Sequence, residues 1–274
     1  MLLKDKVAII TGAGLDRGFG KTTAMEFVKE GAKVCISDIC DTYPDRAMAT
    51  GQMNDLQKAE SDLKALGGDV LAVKCDVRKA DEVNAMVKAT MDKWGQIDIL
   101  MNNAGVVRTI PVLETSEEIW DMHQEVMGRG TFLCTKAAAA EMIKRGKGGV
   151  IINMSSAAGK TGWPLLGAYT FGKFGIVGFT FVCGVEFGPH KIRVNAICPG
   201  PNATTIGDAF IQGYADANGV TWQEMADSFT KTYVPIGEWT TPYQIARLAV
   251  YLASDDAKTV TCQAINISGG QEQH

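Results

Sequence analysis

Short runs rich in β-branched and other apolar residues alternate along the chain with longer segments in which apolar residues recur every three or four positions. The short runs predict seven strands, at residues 7–11, 33–38, 70–75, 97–102, 150–154, 193–197 and 264–267. The longer segments predict helices at residues 21–30, 55–66, 80–94, 120–144, 169–187 and 242–253. Strands that alternate with helices require crossover connections, which favour a parallel sheet covered on both faces. We therefore predict an α/β fold, a doubly wound parallel sheet of about seven strands, in a single domain over residues 1–274.

Composition and charge narrow the class of protein. Hydrophobic residues make up 46% and charged residues 21% of the 274 positions, which is ordinary for a globular protein, and the net charge of −4 argues against a nucleic-acid binder. The first predicted strand starts at Val7, which leaves no room for a signal peptide, and no apolar run has the length of a membrane span. The seven cysteines are scattered without a C-x-x-C pair. We expect reduced thiols, no metal site, no membrane or nucleic-acid partner and a cytoplasmic location.

A glycine-rich turn follows the first predicted strand and opens a helix. Its sequence from Thr11 to Gly20 is TGAGLDRGFG. Glycines let the backbone approach a pyrophosphate, and a helix N-terminus offers unpaired N–H groups and a positive dipole. Asp38 ends the second strand, where a carboxylate accepts both ribose hydroxyls of an adenosine and repels a 2′-phosphate. Arg17 favours the opposite choice, because a cation there could hold that phosphate; we give Asp38 more weight and predict NAD.

Two segments interrupt the alternation of strands and helices. Residues 41–54 form a polar insertion that contains proline and glycine, and residues 204–235 contain two short helical patterns. Long excursions at the carboxyl edge of a parallel sheet usually cover a ligand. We predict that residues 41–54 lie near the adenosine and that residues 204–235 cover the substrate. Plain surface loops remain the alternative for both.

The candidate catalytic pair is Tyr169 and Lys173. Residues four positions apart share one face of a helix, so the phenol and the ammonium can meet. A cation beside a phenol favours the phenolate, which would bring the pKa of Tyr169 towards the working pH. Ser156, 13 residues before the tyrosine, follows a predicted strand and would lie at the same edge of the sheet. Such a group can exchange a proton with an alcohol or carbonyl oxygen.

These motifs, in this order, resemble the short-chain dehydrogenase/reductase family, a single-domain Rossmann-type fold that transfers hydride to and from nicotinamide. The resemblance covers almost the whole chain. The matching pieces are Gly12, Gly18 and Gly20; Asp76 and Val77; Asn102 to Gly105; Ser156, Tyr169 and Lys173; and Pro199 and Gly200 with Thr204. The match of all these pieces in the family's order is far more specific than any one of them.

The resemblance implies a role for each matching residue. Tyr169 would be the acid or base, Ser156 would hold the substrate oxygen, and Lys173 would hold the nicotinamide ribose. The substrate site would include Ser156, Tyr169 and Trp163, although Trp163 could equally be a packing aromatic. The cofactor-binding residues would be Gly12, Arg17, Gly18, Phe19, Gly20, Asp38, Ile39, Asp76, Val77, Asn103, Ala104, Gly105, Tyr169, Lys173 and Thr204.

Three features depart from the family pattern. The glycine turn is two residues longer than usual, so that Asp16 and Arg17 either bulge outward or reach the cofactor or a neighbouring loop. The span from Asp38 to Asp76 is also long, as in relatives that resemble carveol dehydrogenases and hold their cofactor tightly. Met127 stands where the family carries an asparagine that seats the lysine and its proton-relay water, and methionine cannot donate a hydrogen bond. His123 and Gln124 either face the same region or are ordinary helix residues.

We predict an NAD-dependent enzyme that interconverts a secondary alcohol and a ketone. The resemblance of residues 155–173 and 234–271 to polyol and sugar-alcohol dehydrogenases implies a small polar substrate. The alternatives are a 3-oxoacyl-type ketoreductase, for which Asp38 and the acidic charge are unfavourable, and a nucleotide-binding pseudoenzyme subunit, for which Met127 is favourable. The helices at 120–144 and 169–187 resemble those that build dimers and tetramers in the family, so we expect a homo-oligomer, most simply a homotetramer.

Overall fold

The computed structural model describes residues 1–41 and 51–274, and within them seven strands form one parallel sheet of order β3-β2-β1-β4-β5-β6-β7. The strands are β1 (Val7–Thr11), β2 (Lys33–Asp38), β3 (Val70–Lys74), β4 (Ile99–Asn102), β5 (Gly149–Met154), β6 (Ile192–Pro199) and β7 (Gln263–Ile267). The helices are α1 (Phe19–Lys29), α2 (Met53–Ala65), α3 (Ala80–Trp94), α4 (Glu117–His123), α5 (Gly130–Arg145), α6 (Gly167–Phe187), α7 (Thr205–Asn218), α8 (Trp222–Tyr233) and α9 (Pro242–Ala253). The predicted doubly wound α/β fold is confirmed.

Strand β1 lies in the interior of the sheet, next to the central strand β4, and sets the position of the site. It pairs with β2 on one side and with β4 on the other, with Ala8 opposite both Val34 and Ile99. The chain therefore builds outward in one direction through β2 and β3, and in the other from β4 to β7. In such sheets ligands bind beyond the carboxyl ends of the strands, at the point where the order reverses. That point lies between β1 and β4, next to the glycine-rich turn.

Side chains of one strand alternate between two hydrophobic clusters. On β1, Ala8 and Ile10 pack into a cluster with residues of α1, α2 and α9, while Ile9 faces a second cluster with residues of α3 and α5. All five residues of this strand are buried. A strand buried on both faces is what helices on both sides of a parallel sheet require.

The helix predicted over residues 120–144 is interrupted. Helix α4 ends at His123, a π-helical turn spans Gln124–Arg129, and α5 begins at Gly130. A π turn adds one residue to a helical repeat and therefore rotates the side chains that follow it. Met127 lies in this turn and is fully buried. Apolar periodicity extends across the interruption, so the pattern alone predicts one helix.

Helix α6 is long and apolar. By length and composition, Gly167–His190 is the segment of the described residues that could cross a membrane, with 44% of its most apolar window buried within the structure. The helix packs against β6, with Gly172, Ile176 and Cys183 on its buried side. A core helix of a sheet protein has the same composition.

The two segments that interrupt the pattern differ in what the structure describes. Residues 204–235 contain α7 and α8, in agreement with the two predicted helical patterns. Of the predicted insertion at 41–54, residues 42–50 lie outside the described residues. All seven cysteines are free thiols.

Candidate active site

The glycine-rich turn is tied to the end of β4. The Asn103 side chain donates hydrogen bonds to the carbonyl oxygens of Thr11 (2.9 Å) and Gly12 (2.8 Å). In return, the Thr11 hydroxyl accepts from the backbone N–H groups of Asn103 and Ala104, both at 3.1 Å. Gly12 has a φ of +65°, and a Cβ there would lie 2.8 Å from the Ala104 Cα. Only glycine fits this turn without moving the backbone beside it.

The start of α1 is suited to a phosphate. Gly18 caps the helix without a side-chain hydrogen bond, which leaves the first N–H groups of α1 free for a ligand. A Cβ on Gly20 would lie 2.5 Å from the Gly12 carbonyl oxygen, so the backbone here is packed as closely as glycine allows. The turn borders a cleft of about 1050 Å³, including its open mouth. The residues present therefore fit a dinucleotide.

Asp38 lies at the adenosine end of this cleft. Its carboxylate accepts hydrogen bonds from the backbone N–H groups of Gly14 (2.8 Å) and Ile39 (2.9 Å). Burial raises the pKa of Asp38, and these N–H groups oppose the rise. A Cβ on Gly14 or Gly51 would lie 2.9 Å from this side chain, so both positions leave space for it.

The two extra residues of the glycine turn reach neighbouring helices rather than bulging outward. Asp16 forms ion pairs with Lys21 of α1 and with Lys58 of α2, the latter at 2.9 Å. Arg17 turns the other way, and its guanidinium lies 2.8 Å from the Asp208 carboxylate of α7. The Arg17 carbonyl oxygen also accepts a hydrogen bond from the Thr205 N–H at 3.1 Å. Arg17, which the sequence left open as a candidate to bind a 2′-phosphate, is therefore paired with Asp208 of α7.

Asp76 and Val77 border the cleft next to Asp38. The Arg78 guanidinium donates to both carboxylate oxygens of Asp76, at 2.9 Å and 2.7 Å. Burial alone would raise the pKa of Asp76, but Arg78 outweighs it and holds that pKa below its usual value. A carboxylate has further lone pairs, so this pairing leaves acceptor capacity for an adenine amino group. Val77 packs against Gly130, where a Cβ would lie 2.7 Å from its Cγ2.

Ser156 and Tyr169 stand where two cavities meet. Both residues line the dinucleotide cleft, and both also line a second cavity of about 540 Å³. Ser156 caps the short turn Ala157–Gly159 by accepting from the Ala158 N–H at 3.1 Å, and its hydroxyl lies close enough to Tyr169 to oppose the rise in the pKa of the phenol. Ser156, which follows the end of β5, therefore both caps this turn and lies beside the phenol of Tyr169. At this junction a cofactor and a second ligand would both reach the phenol of Tyr169.

Lys173 is buried beside this junction. Its ammonium donates to the Met154 carbonyl oxygen at 2.7 Å and lies 5.5 Å from the centre of the Tyr169 ring. Ser155 holds the backbone of the lysine by donating to its carbonyl oxygen at 2.9 Å. Burial lowers the pKa of Lys173 to about 8, since the charged form loses its hydration. The lysine is therefore positioned by the end of β5.

The pKa of Tyr169 differs from the sequence-based expectation. Burial raises it to about 12, and the hydrogen bond with Ser156 opposes this rise only in part. The lowering expected from Lys173 is not among the influences on this pKa. The ammonium is directed at the Met154 carbonyl oxygen instead. The i, i+4 spacing correctly predicted that Tyr169 and Lys173 lie close together. It carried no information about how deeply the phenol is buried.

Met127 occupies a space that Gly172 leaves open. A Cβ on Gly172 would lie 2.7 Å from the methionine methyl group, so the methionine packs directly against α6 one residue before Lys173. Gln124 donates to the Ala168 carbonyl oxygen at 2.9 Å, which links the π turn to the start of α6. His123 is fully buried, accepts from the Arg108 N–H at 3.1 Å and contacts the Ile119 carbonyl at 2.7 Å. Backbone groups thus engage both ring nitrogens of His123, and burial lowers its pKa.

Thr204 caps α7 and lines the cleft, where the sequence predicts the nicotinamide. Its hydroxyl donates to the Asn202 side-chain oxygen at 2.6 Å and accepts from the Gly207 N–H at 2.9 Å. Asn202 in turn donates to the Gly200 carbonyl oxygen at 3.0 Å. The Thr204 hydroxyl is therefore engaged within the protein, and Asn202 fixes it there.

The second cavity is mainly apolar. Trp163 belongs to an aromatic group on its wall, with ring centres 5.5 Å from Phe229 and 5.0 Å from Tyr233. Phe210 of α7 and Trp239 complete the aromatic wall. Trp163 thus packs against other aromatic rings and also lines the cavity. The structure is therefore compatible with both predicted roles, a packing aromatic and a substrate-site residue. The helices of residues 204–235 form one side of the cavity.

Most of the predicted site residues line the dinucleotide cleft. Gly20 lies behind it, and Trp163 lines the second cavity instead. Sequence reasoning missed Ser155, Asn202 and a buried chain in which Asn102 donates to Thr135 and Asn153, and Asn153 donates to Thr180. A polar residue inside the apolar run of β5 was the available signal for Asn153.

Among the described residues there is no group of three or more His, Cys, Asp or Glu side chains able to hold a metal ion.

Comparison with known proteins agrees with this geometry. Residues 12–272 match the model of a family described as enoyl-(acyl carrier protein) reductase. Galactitol 2-dehydrogenase of Agrobacterium fabrum is 36% identical, over 98% of both chains. The crystal structure of carveol dehydrogenase from Mycobacterium avium in complex with NAD has a TM-score of 0.93 and 26% identity, over 98% of both chains. That of a single-substitution variant of actinorhodin polyketide ketoreductase with NADPH has a TM-score of 0.90 and 32% identity, also over 98% of both.

The chain belongs to the short-chain dehydrogenase/reductase family, as its motifs predict. Members of this family are oxidoreductases that act on alcohols and ketones with a nicotinamide cofactor. The two solved structures hold different cofactors, NAD in one and NADPH in the other. Family membership therefore establishes the type of reaction and leaves the cofactor and the substrate to the residues of this chain.

Proposed function

We propose that this protein uses NAD(H) to interconvert a small secondary alcohol and its ketone. The observation that carries the proposal is the position of Tyr169 and Ser156, which border both the dinucleotide cleft and the second cavity. A group that transfers a proton at the substrate oxygen must face the substrate while the cofactor is beside it. The cofactor, when bound, supplies the hydride acceptor or donor.

Each polar residue of the junction has a distinct task in this proposal. Tyr169 gives its proton to the ketone oxygen in reduction and removes the alcohol proton in oxidation. Ser156 donates a hydrogen bond to the same substrate oxygen and orients it towards the phenol. Lys173, held by the Met154 carbonyl, binds the ribose hydroxyls of the cofactor and places a positive charge near the phenol. Thr204, fixed by Asn202, bounds the nicotinamide end of the cleft.

The walls of the second cavity bear on the substrate class. The sequence favoured a small polar molecule such as a polyol or a sugar derivative, and a galactitol dehydrogenase is among the relatives. Aromatic side chains and Leu166 cover most of the wall, and such surfaces pack better against a compact ring than against an open chain of hydroxyl groups. We therefore propose a small cyclic secondary alcohol or ketone, with an open-chain polyol as the alternative.

Two other functions remain to be separated from this one. A 3-oxoacyl-type ketoreductase is suggested by the similarity to the polyketide ketoreductase, but the net charge of −4 is unfavourable for docking an acidic carrier. A nucleotide-binding pseudoenzyme would bind cofactor without turnover. The presence of Ser156, Tyr169 and Lys173 together argues against it, because a protein without turnover has no chemical reason to keep all three.

Replacement of Tyr169 by phenylalanine tests the reaction. Tyr169→Phe removes the proton donor and keeps the ring, so we expect kcat for a cyclic ketone such as cyclohexanone to fall by about 10² to 10⁴. The measurement is nicotinamide absorbance with NADH, accompanied by cofactor binding, which we expect to change little.

The matched control is Tyr243→Phe, because Tyr243 is 56% exposed on α9. It should keep the rate of the unchanged protein. Cofactor binding without turnover of alcohols, ketones or 3-oxoacyl thioesters would indicate the pseudoenzyme, and turnover confined to the thioesters would indicate the ketoreductase.

The ratio of kcat/KM for NAD to that for NADP tests the role of Asp38. We expect NAD to be preferred, since the carboxylate repels a 2′-phosphate and Arg17 is paired with Asp208. Asp38→Asn keeps an acceptor for the Gly14 N–H and removes the charge, so the ratio should fall about tenfold or more. Asp92→Asn on the exposed side of α3 removes a charge elsewhere and should leave the ratio unchanged. A clear preference of the unchanged protein for NADP would refute the assignment.

The pH dependence of ketone reduction tests the state of Lys173. Burial lowers its pKa to about 8, so the ammonium is lost as the pH rises through that value, and kcat/KM for reduction should fall above it. Met127→Asn would place an amide oxygen beside α6, stabilise the ammonium and move the inflection to higher pH. Met122→Asn, in α4 before the π turn, is the control and should not move it. An identical inflection in all three proteins would exclude any influence of residue 127 on the lysine.

We also propose a homo-oligomer, a dimer or a tetramer, built on α6. Several large apolar side chains of this helix are exposed, namely Phe171, Phe174, Phe181, Val182 and Val185. Together they form a patch larger than isolated surface residues would give, and such patches mark protein interfaces. The apolar character that permits a membrane span by composition is thus explained by a buried side and an interface side.

A charge in this patch tests the oligomer. Val185 is 73% exposed, and Val185→Asp would place a carboxylate in the interface. We expect the mass measured by light scattering to fall towards that of a smaller species. Val220→Asp, at a valine that is 40% exposed outside α6, should leave the mass unchanged. A monomeric unchanged protein would disprove the proposal.

A further inference from the structure

The chain after β7 turns back into the second cavity. Gly269 and Gly270 both adopt positive φ angles, +64° and +89°, which glycine adopts without strain. A Cβ on Gly269 would lie 2.7 Å from Val234, and one on Gly270 would lie 3.1 Å from Pro235, so the turn packs against the end of the 204–235 segment. Gln271 follows this turn and lines the cavity together with Ser156 and Tyr169.

Residues on both sides of Gln271 are fixed by hydrogen bonds. The Glu272 N–H donates to the Ser268 hydroxyl at 3.1 Å, and the Asn266 side chain donates to the Glu272 carbonyl oxygen at 3.2 Å. Further along, Lys160 donates to the carbonyl oxygens of Ala264 and His274. Gln271 is therefore held at the cavity by its neighbours on either side.

The side-chain amide of Gln271 lacks a partner where one is expected. Its Oε1 is shut off from solvent and accepts no hydrogen bond from the described residues. A buried acceptor without a partner lowers the stability of the folded state, and most such groups in folded proteins are paired. Asn202, the other amide on this wall, is satisfied by Thr204 and Gly200. Among the described residues of the cavity wall, Gln271 is therefore the amide whose oxygen has no hydrogen-bond partner within the protein.

We propose that Gln271 is a specificity residue that recognises a second oxygen of the substrate. The inference rests on the proposed function and narrows its substrate class to cyclic hydroxyketones and diols. The aromatic side chains cover the ring, Ser156 and Tyr169 hold the reacting oxygen, and the amide of Gln271 bonds the other one. An amide both donates and accepts, so it serves a hydroxyl and a carbonyl group equally.

A comparison of ring alcohols with and without a second hydroxyl tests this role. The probes are cyclohexanol and the three cyclohexane diols, 1,2-, 1,3- and 1,4-, each assayed for oxidation with NAD. We expect one diol to exceed cyclohexanol in kcat/KM by about tenfold, mainly through KM. Gln271→Met keeps the length of the side chain and removes its hydrogen bonds. In this variant kcat/KM for the preferred diol should fall by about tenfold more than kcat/KM for cyclohexanol.

Gln273→Met is the matched control, because Gln273 is exposed in the same tail and does not line the cavity. It should preserve the ratio of diol to cyclohexanol. If the unchanged protein oxidises these alcohols without favouring any diol, or if the two variants give the same ratio, the role of Gln271 is refuted while the proposed function stands. If none of the alcohols and none of the corresponding ketones is turned over with either cofactor, both proposals fail together.

Discussion

The closure of the first turn onto the end of β4 is the constraint on which the site depends. Four hydrogen bonds join Thr11 and Gly12 to Asn103 and Ala104, and the space between the two segments is too small for a Cβ on Gly12. This contact lies where the strand order reverses, so it fixes one side of the cleft at the position where an α/β sheet binds ligands. Because it uses backbone groups and the side chains of Thr11 and Asn103, it leaves the N-terminus of α1 free for phosphate.

The order of elements and the residues at strand ends were predictable from the sequence. Strand β1 and strand β2 have the predicted bounds, and the groups that follow successive strands meet at one edge, as parallel strands require. Ser156, Tyr169 and Lys173 come together for the same reason. These features follow from local patterns and from the topology that such patterns impose.

Features that depend on contacts between distant segments were not predictable. The π turn that carries Met127 is one example, since its fit depends on the missing side chain of Gly172 in another helix. The pKa of Tyr169 is another, because burial is the main influence on it, and the spacing of Tyr169 and Lys173 on the helix does not reveal burial. Gln271 carries no motif, and only the fold shows that a turn of two glycines brings its amide to the wall of the cavity that the aromatic rings also line.

Arg17 of the glycine turn pairs with α7, a helix that borders both cavities. Arg17 pairs with Asp208 of this helix. Thr204 at the start of the helix borders the dinucleotide cleft, and Phe210 on the same helix borders the second cavity. The side chains of Arg17 and Asp208 are 59% and 36% exposed, and pairs this open to solvent contribute only about 0–1 kcal/mol. So weak a tie favours the position of α7 over the cleft without locking it there. A ligand in either cavity that contacts α7 therefore acts on the same helix, and under the proposed function this helix is a structural element shared by cofactor and substrate.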